Sequence, residues 1–205
     1  MTKSDIRKIS LVFLGAALAA LALPLTAQTT TDNSQPQTIN QRKENQQDRI
    51  ANGVQSGQLT AGETKHLETK ESDINHEEHD MRKLDNGHLT SADRATLNQQ
   101  QNQVSKSIYN QKHDAQVQNT NPKSEVGQRQ RNQQERIAQG IKSGQMTAGE
   151  AARTEGHSAA INHEIHNDRA ANGGKLTAGE RAQVNRQQNR NSARIYRTKH
   201  NGRTQ

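Results

Sequence analysis

The chain has 205 residues, a formal charge of +7, 28% hydrophobic residues and no cysteine. Without cysteine there can be no disulfide, no thiolate metal site and no cysteine nucleophile. So low an apolar content lies near the disordered class and leaves material only for a thin core.

Residues 1–27 read as a secretory signal. Lys3, Arg7 and Lys8 form a basic start, Leu11 to Leu23 is an apolar run, and Pro24 to Ala27 offers a cleavage region before Gln28. The run is shorter than the ~20 residues of a spanning helix. Residues 28–40, rich in Thr, Gln and Asn, read as a flexible leader.

The rest of the chain is an internal duplication. Residues 42–114 align without gaps with 129–201, at an offset of 87, with 36 identities in 73 positions. The expected division is helical repeat 1 at 41–114, a linker at 115–127, helical repeat 2 at 128–201 and a tail at 202–205.

Each repeat contains two copies of Gly-x-[Leu/Met]-Thr-x-x-[Glu/Asp]. These are Gly57 to Glu63 and Gly87 to Asp93 in the first repeat, and Gly144 to Glu150 and Gly174 to Glu180 in the second. Glycine suits the left-handed residue that closes a helix. Threonine three residues before an acid is a capping box that opens the next helix. The motif is therefore a stop followed at once by a start. It predicts helices at about 41–56, 60–85 and 90–113, and at about 128–143, 147–172 and 177–200. Short turns make neighbouring helices antiparallel. The expected fold class is all-α: two tandem three-helix, antiparallel, coiled-coil-like repeat units after a signal peptide.

A narrow apolar seam supports this. It comprises Leu67, Ile74, Met81 and Leu84 in the middle helix, Leu97, Val104 and Ile108 in the third, and Ile50 and Val54 in the first. The second repeat is thinner: Thr154 stands for Leu67, Asp168 for Met81 and Asn191 for Val104, while Ile165 replaces Glu78.

The turns resemble the second half of an EF-hand calcium loop. Gly57, Leu59, Thr60 and Glu63 fit its later positions. The first half departs from that pattern. Asn52, Val54 and Ser56 stand where oxygen ligands belong, and the second turn brings Arg82 and Leu84 there. Capping explains the motif better than calcium.

The metal candidates are His76 and His79, repeated as His163 and His166. Histidines at i and i+3 share a helix face and can chelate Zn²⁺, Cu²⁺ or Ni²⁺. Counting about 100° per residue from Ile74 turns the first pair away from the seam, toward water, where two ligands hold a metal weakly. Tyr109 with Lys112 and His113 recurs as Tyr196 with Lys199 and His200, and each tyrosine is expected to cover the seam's edge.

Arg181, Arg186, Arg190, Arg194 and Arg197, with Arg129, Arg131 and Arg136, make the second repeat locally basic and allow nonspecific contact with an anionic polymer or surface. Clustered cations with interleaved aromatics, as a nucleic-acid surface needs, are lacking. No phosphate loop or nucleophile elbow is present, so no cofactor and no enzyme activity are expected.

The repeated Arg-Ile-Ala-x-Gly-x-x-Ser-Gly-Gln-[Leu/Met]-Thr-Ala-Gly-Glu, with Ile-Asn-His-Glu and Ile-Tyr-x-x-Lys-His, resembles a group of exported bacterial proteins built from such tandem repeats. The resemblance implies export and repeated helical units, and it carries no activity with it. The expectation is a periplasmic or secreted binding or structural module. Its partner would be another envelope protein, an anionic surface or a second copy of the chain.

Overall fold

The two Gly-x-[Leu/Met]-Thr turns of each repeat divide it into three helices. A computed structural model describes residues 37–118 and 123–204. The signal-like segment 1–27 and most of the leader lie outside them. The helices are α1 (Ile39–Ser56), α2 (Ala61–Leu84), α3 (Ser91–Lys112), α4 (Glu125–Lys142), α5 (Ala148–Ala171) and α6 (Ala178–Lys199), and no strand occurs among the described residues. The fold is all-α. None of these helices is long and apolar enough to cross a membrane.

Local chemistry sets the helix ends. Thr60, Thr90, Thr147 and Thr177 each accept a hydrogen bond from the amide of the acid three residues on, and that acid accepts from the threonine amide. Thr38 and Gln41 form a fifth capping box, which starts α1 two residues earlier than expected. Ser124 caps α4, which begins three residues early. Gly57 and Gly144 close α1 and α4 with φ of 75° and 69°.

The turns also plug the core. Leu59 N–H donates to Gly53 O at 3.0 Å, and Met146 N–H donates to Gly140 O at 3.1 Å. This folds both side chains, each fully buried, back onto the preceding helix. A Cβ at Gly53 would lie 2.6 Å from Leu59 Cδ1, and one at Gly140 2.6 Å from Met146 Sδ. The notch exists because both residues are glycine.

The two repeats do not stand apart as separate bundles. Residues 36–205 make one compact unit. Helix α2 packs most extensively on α5, and α1 on α4, with α3 and α6 outside this four-helix centre. Small residues let α2 and α5 approach closely: Gly149 lies beside Ser72, and Gly156 beside Lys65. Those pairings make the two helices antiparallel. One apolar cluster joins Ile50, Leu67, Leu97 and Ile108 to Ile137, Ile141 and Ile195 across the repeats. A smaller one, with Val126, Ile161, Ile165 and Val184, lies among α4, α5 and α6.

One seam expectation needs correction. Leu84 is 83% exposed, because α2 ends there and no neighbouring helix covers it. Tyr109 and Tyr196 are more than half exposed and stack on His113 and His200 with ring centroids 4.2 and 4.1 Å apart.

Candidate functional site

Much of the centre is polar. Gln46 donates to Gln101 O at 2.6 Å and Gln101 to Ile39 O at 3.0 Å. Their counterparts repeat the pattern: Gln133 donates to Gln188 O at 2.7 Å and Gln188 to Val126 O at 3.0 Å. These buried amides tie α1 to α3 and α4 to α6, where shape alone would specify the register weakly.

Two carboxyl groups lie deeper still. Glu68 on α2 and Glu155 on α5 are fully buried. Gln47 Nε2 donates to Glu68 Oε2 at 3.2 Å, and Gln134 Nε2 donates to Glu155 Oε2 at 2.9 Å. The remaining oxygen of each partner, Oε1, is buried without a hydrogen bond in all four residues. Burial pushes Glu155 up to about 7, although Gln134 pulls against it. Burial also raises Glu68 well above the usual range, Gln47 opposes this, and the nearby charges of Glu71 and Glu155 add to it. A proton on the carboxyl removes the buried charge and gives the glutamate a hydrogen to donate, so protonated carboxyls suit this interior.

Next to this pair the two repeats leave a cleft of about 750 Å³. Lys43, Glu44 and Gln47 of α1 line it with Glu71, Ser72, Asn75, His76 and His79 of α2. Thr147, Gly149 and Arg153 close it from the second repeat. Glu71 is buried, and desolvation raises it to about 7 against the pull of Lys43. Glu71 Oε1 and Asn75 Oδ1 have no hydrogen-bond partner. Lys43 Nζ donates to Glu78 Oε2, and Arg82 Nη2 to Glu78 Oε1, both at 2.7 Å. Burial would raise Glu78, but these two cations outweigh it and lower its pKa.

The cleft has no twofold copy of the same chemistry. The counterparts of Lys43, Glu44 and Glu71 are Gln130, Arg131 and Ser158. Around the equivalent place Gln118 packs in: its amide donates to Gly57 O, and its side-chain oxygen accepts from Ala61 N at 3.1 Å.

All four histidines singled out from the sequence are exposed. The structure brings His76 and His79 to the cleft wall, and His79 Nδ1 lies 3.4 Å from Asp80 Oδ1. His163 Nδ1 lies 3.2 Å from Asn167 Nδ2 on the outer face of α5. Among the described residues no group of three or more His, Asp or Glu side chains is placed to hold a metal. In the turns, Glu63 Oε2 and Glu150 Oε2 are spent on their own capping threonines.

Glu68, Glu71 and Glu155 escaped the sequence reading because glutamate at a helical position reads as solvated. A signal was present. Glu68 and Glu155 are identical between repeats although the adjacent Leu67 has become Thr154, and Gln47 and Gln134 are identical too. Compared with protein families, curated proteins and solved structures, the chain matches none, so its own residues carry the functional argument.

Proposed function

We propose that the chain is an exported, non-enzymatic binding or structural module, acting in a periplasm or outside the cell. The supporting observation is the cleft, to which both repeats contribute and whose lining is polar and of mixed charge. Its solvent-facing groups include the exposed Glu44, His76, His79 and Arg153. Such a lining suits a polar partner. The basic start and apolar run of residues 1–27 support export.

The chain has no cysteine, so a single introduced thiol is a unique probe. Ser72→Cys reports on the cleft and Thr96→Cys on the exposed side of α3. Envelope extract from the native cell should slow maleimide labelling at position 72 and leave position 96 unchanged. Equal labelling at both would contradict the cleft as the binding surface. Mass spectrometry of the protein from the cell should find an N-terminus near Gln28.

Metal binding is a second reading, favoured by the place of His76 and His79 in the cleft wall. A transition ion held by this pair would take its remaining ligands from water or a partner. Calorimetry with Zn²⁺, Cu²⁺ and Ni²⁺ tests it: heat at micromolar metal, lost in the His76→Ala/His79→Ala variant, supports this reading, and no heat removes it.

A further inference from the structure

The two repeats differ most in charge on their outermost helices. Arg186, Arg190, Arg194 and Arg197 of α6 correspond to Gln99, Gln103, Ser107 and Asn110 of α3, all neutral. Their spacing of four, four and three residues keeps them within an arc of about 80° along about 16 Å of helix. Arg186, Arg190 and Arg197 are exposed and Arg194 is half-buried. The core face of the helix, Val184, Gln188, Asn191 and Ile195, lies about 130° away.

The row is unneutralised. None of the four guanidinium groups has an ion pair or hydrogen bond among the described residues. The one acid of α6, Glu180, is held in its capping box. On the flank, Glu164 of α5 accepts from Gln183 and Gln187 rather than from an arginine. Like charges at i and i+4 destabilise a helix, and mixed charge is the ordinary solvated pattern. A same-sign row confined to one repeat therefore keeps a repulsion that an anionic ligand would relieve. Guanidinium forks pair bidentately with carboxylate, sulfate or phosphate.

The geometry narrows the ligand. One row of cations engages one row of anions, whereas a nucleic-acid duplex presents two strands across a groove. A membrane-binding helix sets apolar side chains beside its cations, and no large apolar side chain interrupts this row. Single-stranded nucleic acid needs aromatic platforms, and the nearby Tyr196 ring is already stacked on His200. We propose that the arginine row of α6 binds a single chain of an acidic polysaccharide laid along the helix, its carboxylates or sulfates paired with the guanidinium groups. This rests on the reading of the chain as a binding module. Its surface is α6 rather than the cleft, so the position 72 labelling and the polysaccharide result can fail separately.

The test is titration of the full chain with polygalacturonate, oligothymidylate and phosphatidylglycerol vesicles at several salt concentrations. Polygalacturonate should bind tightest, and its affinity should fall steeply as salt rises. Replacing the row by its first-repeat counterparts, Arg186→Gln/Arg190→Gln/Arg194→Ser/Arg197→Asn, should weaken it by about tenfold or more at low salt, with the helical circular dichroism unchanged. The reverse transplant, Gln99→Arg/Gln103→Arg/Ser107→Arg/Asn110→Arg, should add a second site and raise the stoichiometry. Unchanged affinity in the first variant, unchanged stoichiometry in the second, or tighter binding of oligothymidylate or vesicles would each overturn the proposal.

Discussion

Glu68 of α2 and Glu155 of α5 hold the same position in the two repeats, both are fully buried, and the charge of Glu155 bears on Glu68. Two carboxyl groups so placed are tolerated in an interior when they are protonated and hydrogen-bonded, and each has a buried glutamine of its own repeat.

This arrangement makes the fold more stable in mild acid. In the unfolded chain a glutamate titrates near 4.5, whereas Glu71 and Glu155 titrate at about 7 when folded. Below the unfolded value both states hold the proton and the full stability is present. Between the two values the unfolded chain sheds its protons first, so stability falls as pH rises, and it levels off above the folded value. Glu78 acts in the opposite sense: its folded pKa is lowered, so its contribution is lost as pH falls below the usual carboxylate range. The urea midpoint should be higher at about pH 5 than at about pH 8, with Glu71 and Glu155 each contributing about 2–3 kcal/mol to the difference. A midpoint that rises toward pH 8 would contradict the protonated interior.

A buried carboxyl bonded to an amide predicts which substitution is harmless. Glu155→Gln keeps the shape and supplies a neutral donor in place of the proton. It should raise stability by about 1–3 kcal/mol at about pH 8 and change little at about pH 5. Glu155→Ala should destabilise at both, because Gln134 then loses its partner and a cavity opens. Denaturation of the two variants at both pH values checks the pair, and Glu68→Gln should follow the same pattern.

Gly53→Ala should destabilise by about 1–3 kcal/mol even though alanine favours the helix, because the new methyl would lie 2.6 and 2.7 Å from Leu59 Cδ1 and Cγ, which have nowhere to go. Gly140→Ala meets the more flexible Met146 and should cost less. Gly179→Ala has no atom within 4 Å of the added carbon and should be neutral or slightly stabilising. Thermal melts of the three variants give the order directly.

Each feature was legible in the sequence to the degree that it is local. Thr60 with Glu63 and Thr147 with Glu150 are three residues apart, so the capping boxes could be read from the chain and the helix order followed. Leu67, Leu97 and Ile108 recur at helical spacing and are buried as their pattern implies. Gln46, Gln101, Gln133 and Gln188 gave no such signal. Their polarity counts toward disorder, yet each is buried with a backbone carbonyl as its partner. Those partners lie more than 50 residues away, so only the fold brings them together. The packing of α2 on α5 was illegible for the same reason: Gly149 and Gly156 look like poor helix formers until Ser72 and Lys65 arrive beside them.

That the two repeats fold as one body across α2 and α5 is tested by native-state hydrogen exchange of the full chain carrying Leu67→Ala. Leu67 is fully buried in the cluster that spans both repeats. Amides of α5 and α6 should lose as much protection as those of α2 and α3. Loss confined to α1, α2 and α3, with α4 to α6 unchanged, would show two independent bundles instead of one body.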